Sequence, residues 1–566
     1  MRTKDALQNI IESSSTEFYN QLPRGYQPGN TKYVVVTGSV ISGVGKGTIN
    51  SSLCKLLADR GLNVEPIKLE AYLNVDAGTL SPYRHGEVFV LDDGSETDLD
   101  LGSYERMIDK NLSKDNFVTS GRIYQTLIQK ERAGEYLGRD VQFIPHVTGE
   151  IKSVVRNLAM KSQADVIVIE IGGTVGDYEN MFAMEALREL AYEEGQENVC
   201  SVNVTYILEP GSLGEHKSKA AQLGIKRLIE LGIQPDIIVC RSESKIDNKI
   251  KEKISLNVNV PLSRVFGVDD IKSIYALPIK LREMGFDKMI LDTLDMKIGN
   301  NGNSKLNAWT EKNQVPENAD TVKIGIAGKY TGSSDTYMSV IKAIEHATAA
   351  EGKKFEIHWI ETTEIEGKKL AVERALEGLQ GIIIPGGFGK RGVEGKIAIA
   401  QYCREKKIPY LGLCLGFQIG LIEFARNVCG LKKADSTEFN PNTAEPVVDM
   451  LPEQKKLEGL GGNMRLGGKE VAIKKGTRAE KLYGSTNIRE RFRHRFECNP
   501  KYINQCEEKG MVFSGKHPTH PIMQILELTE HPFFMASQYH AEFTSRPLKP
   551  SPLFSGFVQA CIKSTK

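Results

Sequence analysis

Tyr33-Val-Val-Val-Thr-Gly38-Ser-Val-Ile-Ser-Gly43-Val-Gly45-Lys46-Gly47-Thr48 joins an apolar, β-branched run to a glycine-rich turn, and the helical stretch Asn50–Asp59 comes next. A run that is apolar at every position suits a parallel strand buried on both faces. The turn after it presents backbone N–H groups at a helix N-terminus, the usual cradle for a phosphate. By its mechanics this is a phosphate loop. It departs from the strict motif, because Val40 occupies the first-glycine position and Gly47 stands where Ser or Thr would follow the lysine. Gly43, Gly45, Lys46 and Gly47 together favour phosphate binding over a purely structural turn.

Outward from this stretch the pattern repeats. Val166–Gly172, Val322–Gly328 and Gly381–Gly387 are further apolar runs ending in glycine, and Met181–Glu194 and Tyr337–Ala350 read as helices. The class is therefore α/β, with ligands expected beyond the carboxyl ends of the strands. At 566 residues the chain exceeds one hydrophobic core. Its polar, Asn- and Gly-rich stretch around Lys297–Ala319 is the best linker, dividing residues 31–295 from 322–566 across a linker at 296–321. Residues 1–30 read as an N-terminal extension: they lack the apolar core of a signal peptide and contain Asp5, Glu12 and Glu17, unlike an acid-poor transit peptide.

The 73 basic against 72 acidic residues leave a formal charge of +1, so no general attraction to nucleic acid or an anionic membrane is expected. No apolar run approaches the roughly 20 residues of a membrane-spanning helix. Nine cysteines without paired spacing fit neither a disulfide framework nor a zinc module and suggest a reducing, cytoplasmic setting.

Two carboxylate-rich regions lie beyond the phosphate loop. Lys68 ends the run Val64–Leu69, and the turn-rich stretch from Asn74 to Gly102 contains Asp76, Glu87, Asp92, Glu96, Asp98 and Asp100. Glu170 ends the very apolar run from Val166. A charge there is costly unless paired or bound to a metal, and magnesium takes hard oxygen donors of this kind alongside substrate phosphates.

The C-terminal half carries another chemistry. In Tyr410-Leu-Gly-Leu-Cys414-Leu-Gly416-Phe-Gln418 a cysteine ends an apolar strand between glycines, a sharp turn that would present its sulfur. Gln538-Tyr-His540-Ala-Glu542 sets a carboxylate two residues beyond a histidine, so that the two can face one way and permit a Cys, His, Glu relay. Pro385-Gly386-Gly387-Phe-Gly389 supplies unhindered N–H groups for an oxyanion.

Lys68 to Glu105, Gly121 to Thr148, Glu170 to Glu179 and Leu231 to Arg241 closely resemble the synthase domain of the CTP synthases, and the Cys414 region resembles a class I glutamine amidotransferase domain. The resemblance covers nearly everything after residue 30. It implies an N-terminal P-loop-type parallel-sheet synthase domain and a C-terminal α/β amidotransferase domain. It further implies that Ser42, Gly43, Val44, Gly45, Lys46, Gly47, Lys68 and Asp98 bind ATP, that Asp98 and Glu170 bind Mg2+, and that Ser39, Lys217, Ser218, Lys219, Gln222 and Lys253 bind UTP or CTP. In the other half it implies Cys414 as nucleophile, His540 as base and acid, Glu542 as orienter and Gly387 in the oxyanion hole. Gln418, Glu438 and Arg495 would recognise glutamine, and Arg391 and Glu394 would lie in a lid linked to GTP activation.

The activity implied by the resemblance is glutamine-dependent amination of UTP to CTP in pyrimidine biosynthesis, with CTP feedback and a homotetramer; filaments are known in the family. Where the family has Lys-Thr-Lys-Pro-Thr-Gln, this chain has Lys217-Ser-Lys-Ala-Ala-Gln222. It also reads Tyr-Glu-Asn-Met-Phe after Asp177 and has Ala541 after the histidine. A GMP synthase is the nearest rival, since the triad does not choose the acceptor; the Lys68 to Glu105 stretch argues against it. A nucleotide sensor or structural relative is the rival from another class, opposed by Lys46, Asp98, Glu170, Cys414 and His540.

Overall fold

Alternate side chains of strand β1 (Lys32–Gly38) enter two different cores, Val34 and Val36 on one face and Tyr33 and Val35 on the other. That division, imposed by the two-residue period of a strand, explains why Tyr33–Val36 is apolar at every position. The structure is a computed structural model and describes residues 22–136, 140–211, 215–297, 303–329, 332–450 and 464–564. β1 is central in a seven-stranded parallel sheet with β2 (Val64–Glu70), β3 (Phe117–Thr119), β4 (Val166–Ile171), β5 (Val199–Tyr206), β6 (Ile237–Ser242) and β7 (Val265–Asp269), in the order β3-β2-β4-β1-β5-β6-β7.

A second sheet of nine strands is mixed. β8 (Thr321–Gly328), β9 (Lys354–Glu361), β10 (Gly381–Ile384), β11 (Tyr410–Leu413), β12 (Arg465–Ile473), β13 (Asn487–His494), β14 (Met511–Lys516), β15 (Met523–Leu528) and β16 (Phe534–Ser537) lie in the order β9-β8-β10-β11-β16-β15-β14-β12-β13. From β9 to β16 the pairs are parallel, and from β16 onward antiparallel. Ile382 and Ile384 enter one core and Ile383 the other, the same alternation as in β1.

The described residues fall into two compact units. One comprises the chain up to Thr79 with Ser103–Glu311, and the other comprises Leu80–Gly102 with Lys312 onward. Leu80–Gly102 is thus part of the unit built on the second sheet. Its ribbon, Phe89–Val90 against Glu96–Thr97, is fastened there by Arg489 to Asp92 at 2.8 Å and Arg493 to Glu96 at 2.7 Å. The Glu87 carboxylate accepts the Ser339 N–H at 2.9 Å, next to the start of helix Met338–Ala350.

Within the polar stretch read as a linker, Asn303–Asn313 forms a helix. Leu306 and Trp309 are buried, and the Trp309 Nε1–H donates to the Tyr275 carbonyl at 3.2 Å. Of the predicted extension, residues 1–21 lie outside the described residues, whereas the Tyr26 hydroxyl and the Gly29 N–H both donate to Glu194, at 2.9 and 3.0 Å. Among the described residues no helix is long and apolar enough to cross a membrane.

Candidate active sites

After β1 the chain turns through Val40 at φ 80°, Gly43 at φ 73° and Gly45 at φ 95°, and the helix starts at Lys46, four residues before the expected Asn50. Val40 takes a left-handed conformation at the strict motif's glycine position. For a β-branched residue that conformation costs on the order of 1–3 kcal/mol, strain of the kind that collects at ligand sites. The Lys46 ammonium reaches back over the loop and donates to the Gly173 carbonyl at 2.8 Å. Of the other loop positions, Val44 is buried and Ser42 exposed, and Gly47 is buried in the first turn of the helix.

Lys68 and Glu170 are register partners on β2 and β4, and the Lys68 ammonium donates to Glu170 Oε1 at 3.0 Å. Tyr104 Oη–H donates to the other Glu170 oxygen, and Lys68 also pairs with Glu70 at 3.2 Å. Glu170 is only 1% exposed, and this pairing offsets the cost of burying its carboxylate in an apolar strand. Asp98 is also buried; its Oδ1 accepts the Asp100 N–H at 3.1 Å. Asp98 belongs to the second unit and Lys46, Lys68 and Glu170 to the first. Buried carboxylate oxygens are suitable donors for Mg2+. Among the described residues no group of three or more His, Cys, Asp or Glu is arranged to hold a metal.

The residues expected on the pyrimidine side divide by exposure. Ser39 is fully buried and its hydroxyl donates to Asn203 Oδ1 at 3.1 Å. Helix Lys219–Glu230 packs so closely on Ser39 that a Cβ on Gly224 would lie 2.7 Å from Ser39 Cβ, which requires glycine there. Gln222 Nε2–H donates to Ser218 Oγ at 3.1 Å, and both are buried. Lys217 pairs with Glu215, while Lys219 and Lys253 are exposed. Ala221 faces an apolar core with Ile225, Ile250 and Ile254, so the hydroxyl missing at this position is missing from a core. A pocket at the ends of β2 and β3 is lined by Glu70, Thr119, Tyr124, Glu179, Asn180 and Phe182. Two of the departures after Asp177, Asn180 and Phe182, therefore form part of a cavity wall.

In the second unit Cys414 sits between β11 and helix Leu415–Asn427 at φ 52° and ψ −96°, a strained elbow. Gly416 makes the elbow possible: a Cβ there would lie 2.2 Å from the Ile384 carbonyl oxygen. His540 Nδ1 is 2.7 Å from Glu542 Oε1, and both side chains are buried. Burial alone disfavours the imidazolium, but the charges of Glu542 and Cys414 outweigh it and raise the His540 pKa to about 10. A Cβ on Gly386 would lie 2.7 Å from His540 Cε1, and one on Gly387 would lie 3.4 Å from Cδ2 of Leu415, the residue that follows Cys414. The triad and the oxyanion glycine predicted from sequence are thus brought together.

Around them, Gln418 Nε2–H donates to the Phe496 carbonyl at 3.0 Å. Glu438 accepts the Gly389 N–H at 2.6 Å; burial raises its pKa against the opposing effects of that bond, Lys329, Arg495 and Lys396. Arg391 donates to the Lys329 carbonyl at 2.7 Å, and Glu394 pairs with Arg426 at 2.8 Å. Sequence reasoning missed Lys396, which is buried, with a pKa lowered to about 7 by desolvation and by Lys329. It also missed Phe543, stacked on the His540 ring, and Arg493, whose carbonyl accepts from Cys414 Sγ at 3.6 Å. Arg493 lies two residues before Arg495, and nothing in its local sequence marks its carbonyl.

A buried Cys–His–Glu relay on one sheet and a lysine-bearing phosphate loop on another define a nucleotide-dependent ligase that draws on a glutamine amidotransferase. Comparisons agree: the model for the CTP synthase N-terminus matches residues 32–296, and that for class I glutamine amidotransferases matches 333–560. A CTP synthase of Caldanaerobacter subterraneus subsp. tengcongensis is 47% identical over 94% of this chain and 98% of its own length. One from Pyrococcus abyssi is 49% identical over 94% and 98%. The glutaminase domain of the Trypanosoma brucei enzyme, solved with bound acivicin, is 36% identical over 43% of this chain and 94% of its own, with a TM-score of 0.39. The chain belongs to the CTP synthase family. It is an enzyme with synthase and glutamine amidotransferase regions, using ATP and glutamine.

Proposed function

We propose that ATP phosphorylates the 4-oxygen of the uracil of UTP while Cys414 attacks glutamine to form a glutamyl thioester, and that the released ammonia displaces phosphate to give CTP. The observation that carries the reading is the assembled relay: Cys414 on its elbow, and His540 held 2.7 Å from Glu542. Glu542 orients the imidazole, His540 accepts the thiol proton and returns it to the leaving ammonia, and the Gly387 N–H receives the oxyanion. Gln418, Glu438 and Arg495 hold glutamine, with Arg495 toward its carboxylate and Glu438 toward its ammonium.

On the synthase side we assign Ser42, Gly43, Val44, Gly45, Lys46 and Gly47 to the ATP phosphates and Lys68 to the transferred phosphoryl group. Ser39, Lys217, Ser218, Lys219, Gln222 and Lys253 are assigned to UTP or CTP. Asp98 and Glu170 would hold Mg2+, which when bound neutralises phosphate charge. Arg391 and Glu394 are assigned to the lid through which GTP activates. Residues 31–295 are proposed as the synthase domain, 296–321 as linker and 322–566 as the amidotransferase domain, in a cytoplasmic homotetramer under CTP feedback. The test is CTP formation from UTP, ATP and Mg2+, supplied in parallel with glutamine plus GTP or with ammonium. Product from both nitrogen sources is expected, and no CTP from either would overturn the proposal.

A further inference from the structure

Gln538 is fully buried two residues before His540, and none of the roles above uses its side chain. Its neighbours fix which way its amide points. The Phe496 carbonyl can only accept, so Gln418 turns its NH2 toward it, at 3.0 Å. The same Gln418 nitrogen donates to Gln538 Oε1 at 3.3 Å. With its oxygen so committed, Gln538 presents its own NH2 to Cys414 Sγ, 3.7 Å away. The opposite orientation would set amide nitrogen against amide nitrogen on one side and carbonyl oxygen against sulfur on the other.

A donor held on sulfur favours the anion, which gains more from a hydrogen bond than the neutral thiol does. The other groups facing the sulfur are His540, with Glu542 behind it, and the Arg493 carbonyl. We infer that Gln538 is a positioning residue of the glutaminase: its amide, oriented by Gln418, holds the Cys414 sulfur in place for attack and stabilises the negative charge the sulfur takes on as His540 accepts its proton. A residue assigned to glutamine recognition is thereby tied to the state of the nucleophile through two hydrogen bonds. The inference rests on Cys414 being that nucleophile.

Gln538→Met keeps the length of the side chain and removes the donor. In the full-length protein we expect alkylation of Cys414 by iodoacetamide at pH 7, followed by mass spectrometry of its peptide, to slow roughly tenfold, as the loss of one hydrogen bond to a developing anion would produce. Glutamine-dependent kcat should fall by a similar factor with KM for glutamine little changed, and ammonia-dependent CTP synthesis should persist. A role in packing alone would leave the alkylation rate where it is, so an unchanged rate in a variant that retains ammonia-dependent synthesis overturns the inference. If Gln538→Met loses that synthesis, Gln538→Asn, still an amide but too short to reach the sulfur, is judged by the same alkylation criterion. Glutamine-dependent synthesis surviving in Cys414→Ala would instead remove the nucleophile assignment, and the role of Gln538 with it.

Discussion

The ring of Phe543 lies almost parallel to the imidazole of His540, with centroids 4.8 Å apart and planes 11° from parallel. Phe89, from the ribbon of the Leu80–Gly102 segment, meets Phe543 edge-on at 5.0 Å and 63°. The guanidinium of Arg491 lies over the Phe89 ring at 5.5 Å, and the Arg491 carbonyl accepts the His540 N–H at 2.8 Å. A segment remote in sequence thus braces, through Phe89, the ring stacked on the proposed base, while Arg491 holds that base by its backbone. Aromatic pairs of this kind contribute about 0.5–1.5 kcal/mol beyond area burial. Phe543→Leu should therefore lower glutamine-dependent kcat/KM by roughly threefold to tenfold. Ammonia-dependent CTP formation should be unaffected, and comparing the two rates on one preparation checks this.

Gly386 permits the close approach of His540. With a Cβ only 2.7 Å from Cε1, Gly386→Ala must displace either the imidazole or the strand end. Displacements of that order cost roughly 10²-fold when they fall on a reacting group. Steady-state glutamine hydrolysis should show the loss in kcat, with ammonia-dependent synthesis retained.

Glu542→Gln removes the charge that most raises the His540 pKa. A folded-state value near 10, above the unfolded value of about 6.5, contributes stability that is fully present below pH 6.5 and is lost as pH rises toward 10. The wild type should therefore melt above the variant by the widest margin near pH 6, and the margin should close toward pH 10. Thermal melts across this range test the sign. Glutaminase kcat should fall by on the order of 10²-fold or more, as expected when a base loses its orienting partner.

Lys396 has the opposite linkage. Its pKa, lowered to about 7 mainly by burial, makes the folded state hold fewer protons than the unfolded chain between about pH 7 and 10.4. Its burial thus costs stability in full below pH 7, and the cost fades as pH rises toward 10.4. Lys396→Met should raise the melting temperature most at pH 6 and least near pH 10, by an amount equivalent to about 1–3 kcal/mol at the acid end. A fall in melting temperature at pH 6 would mean that the ammonium is compensated by Glu361, Glu366 and Glu438.

Much of this site could be read from local sequence because it is local. The apolar run Val166–Ile171, the elbow at Cys414 and the His540–Glu542 spacing each depend on a few consecutive residues. Leu80–Gly102 was not legible as part of the second unit, because the ion pairs that hold it, Arg489 to Asp92 and Arg493 to Glu96, join residues 397 apart. The helix Asn303–Asn313 is hidden in a stretch dominated by Asn, Lys and Gly: Leu306 and Trp309 give it too little apolar periodicity to stand out. Gln538 reads as an ordinary polar residue until Gln418 and Phe496 fix its amide.

The central claim, that one chain makes ammonia at Cys414 and consumes it in a separate ATP-dependent amination, is tested most directly with Cys414→Ala, assaying CTP formation from UTP, ATP and Mg2+ in parallel with glutamine plus GTP and with ammonium. The account predicts that the glutamine-dependent rate falls to background while the ammonia-dependent rate stays within about twofold of wild type, since the substitution removes a nucleophile and leaves the synthase unit untouched. Persistence of glutamine-dependent synthesis, or loss of both rates in a variant that remains folded, would contradict it.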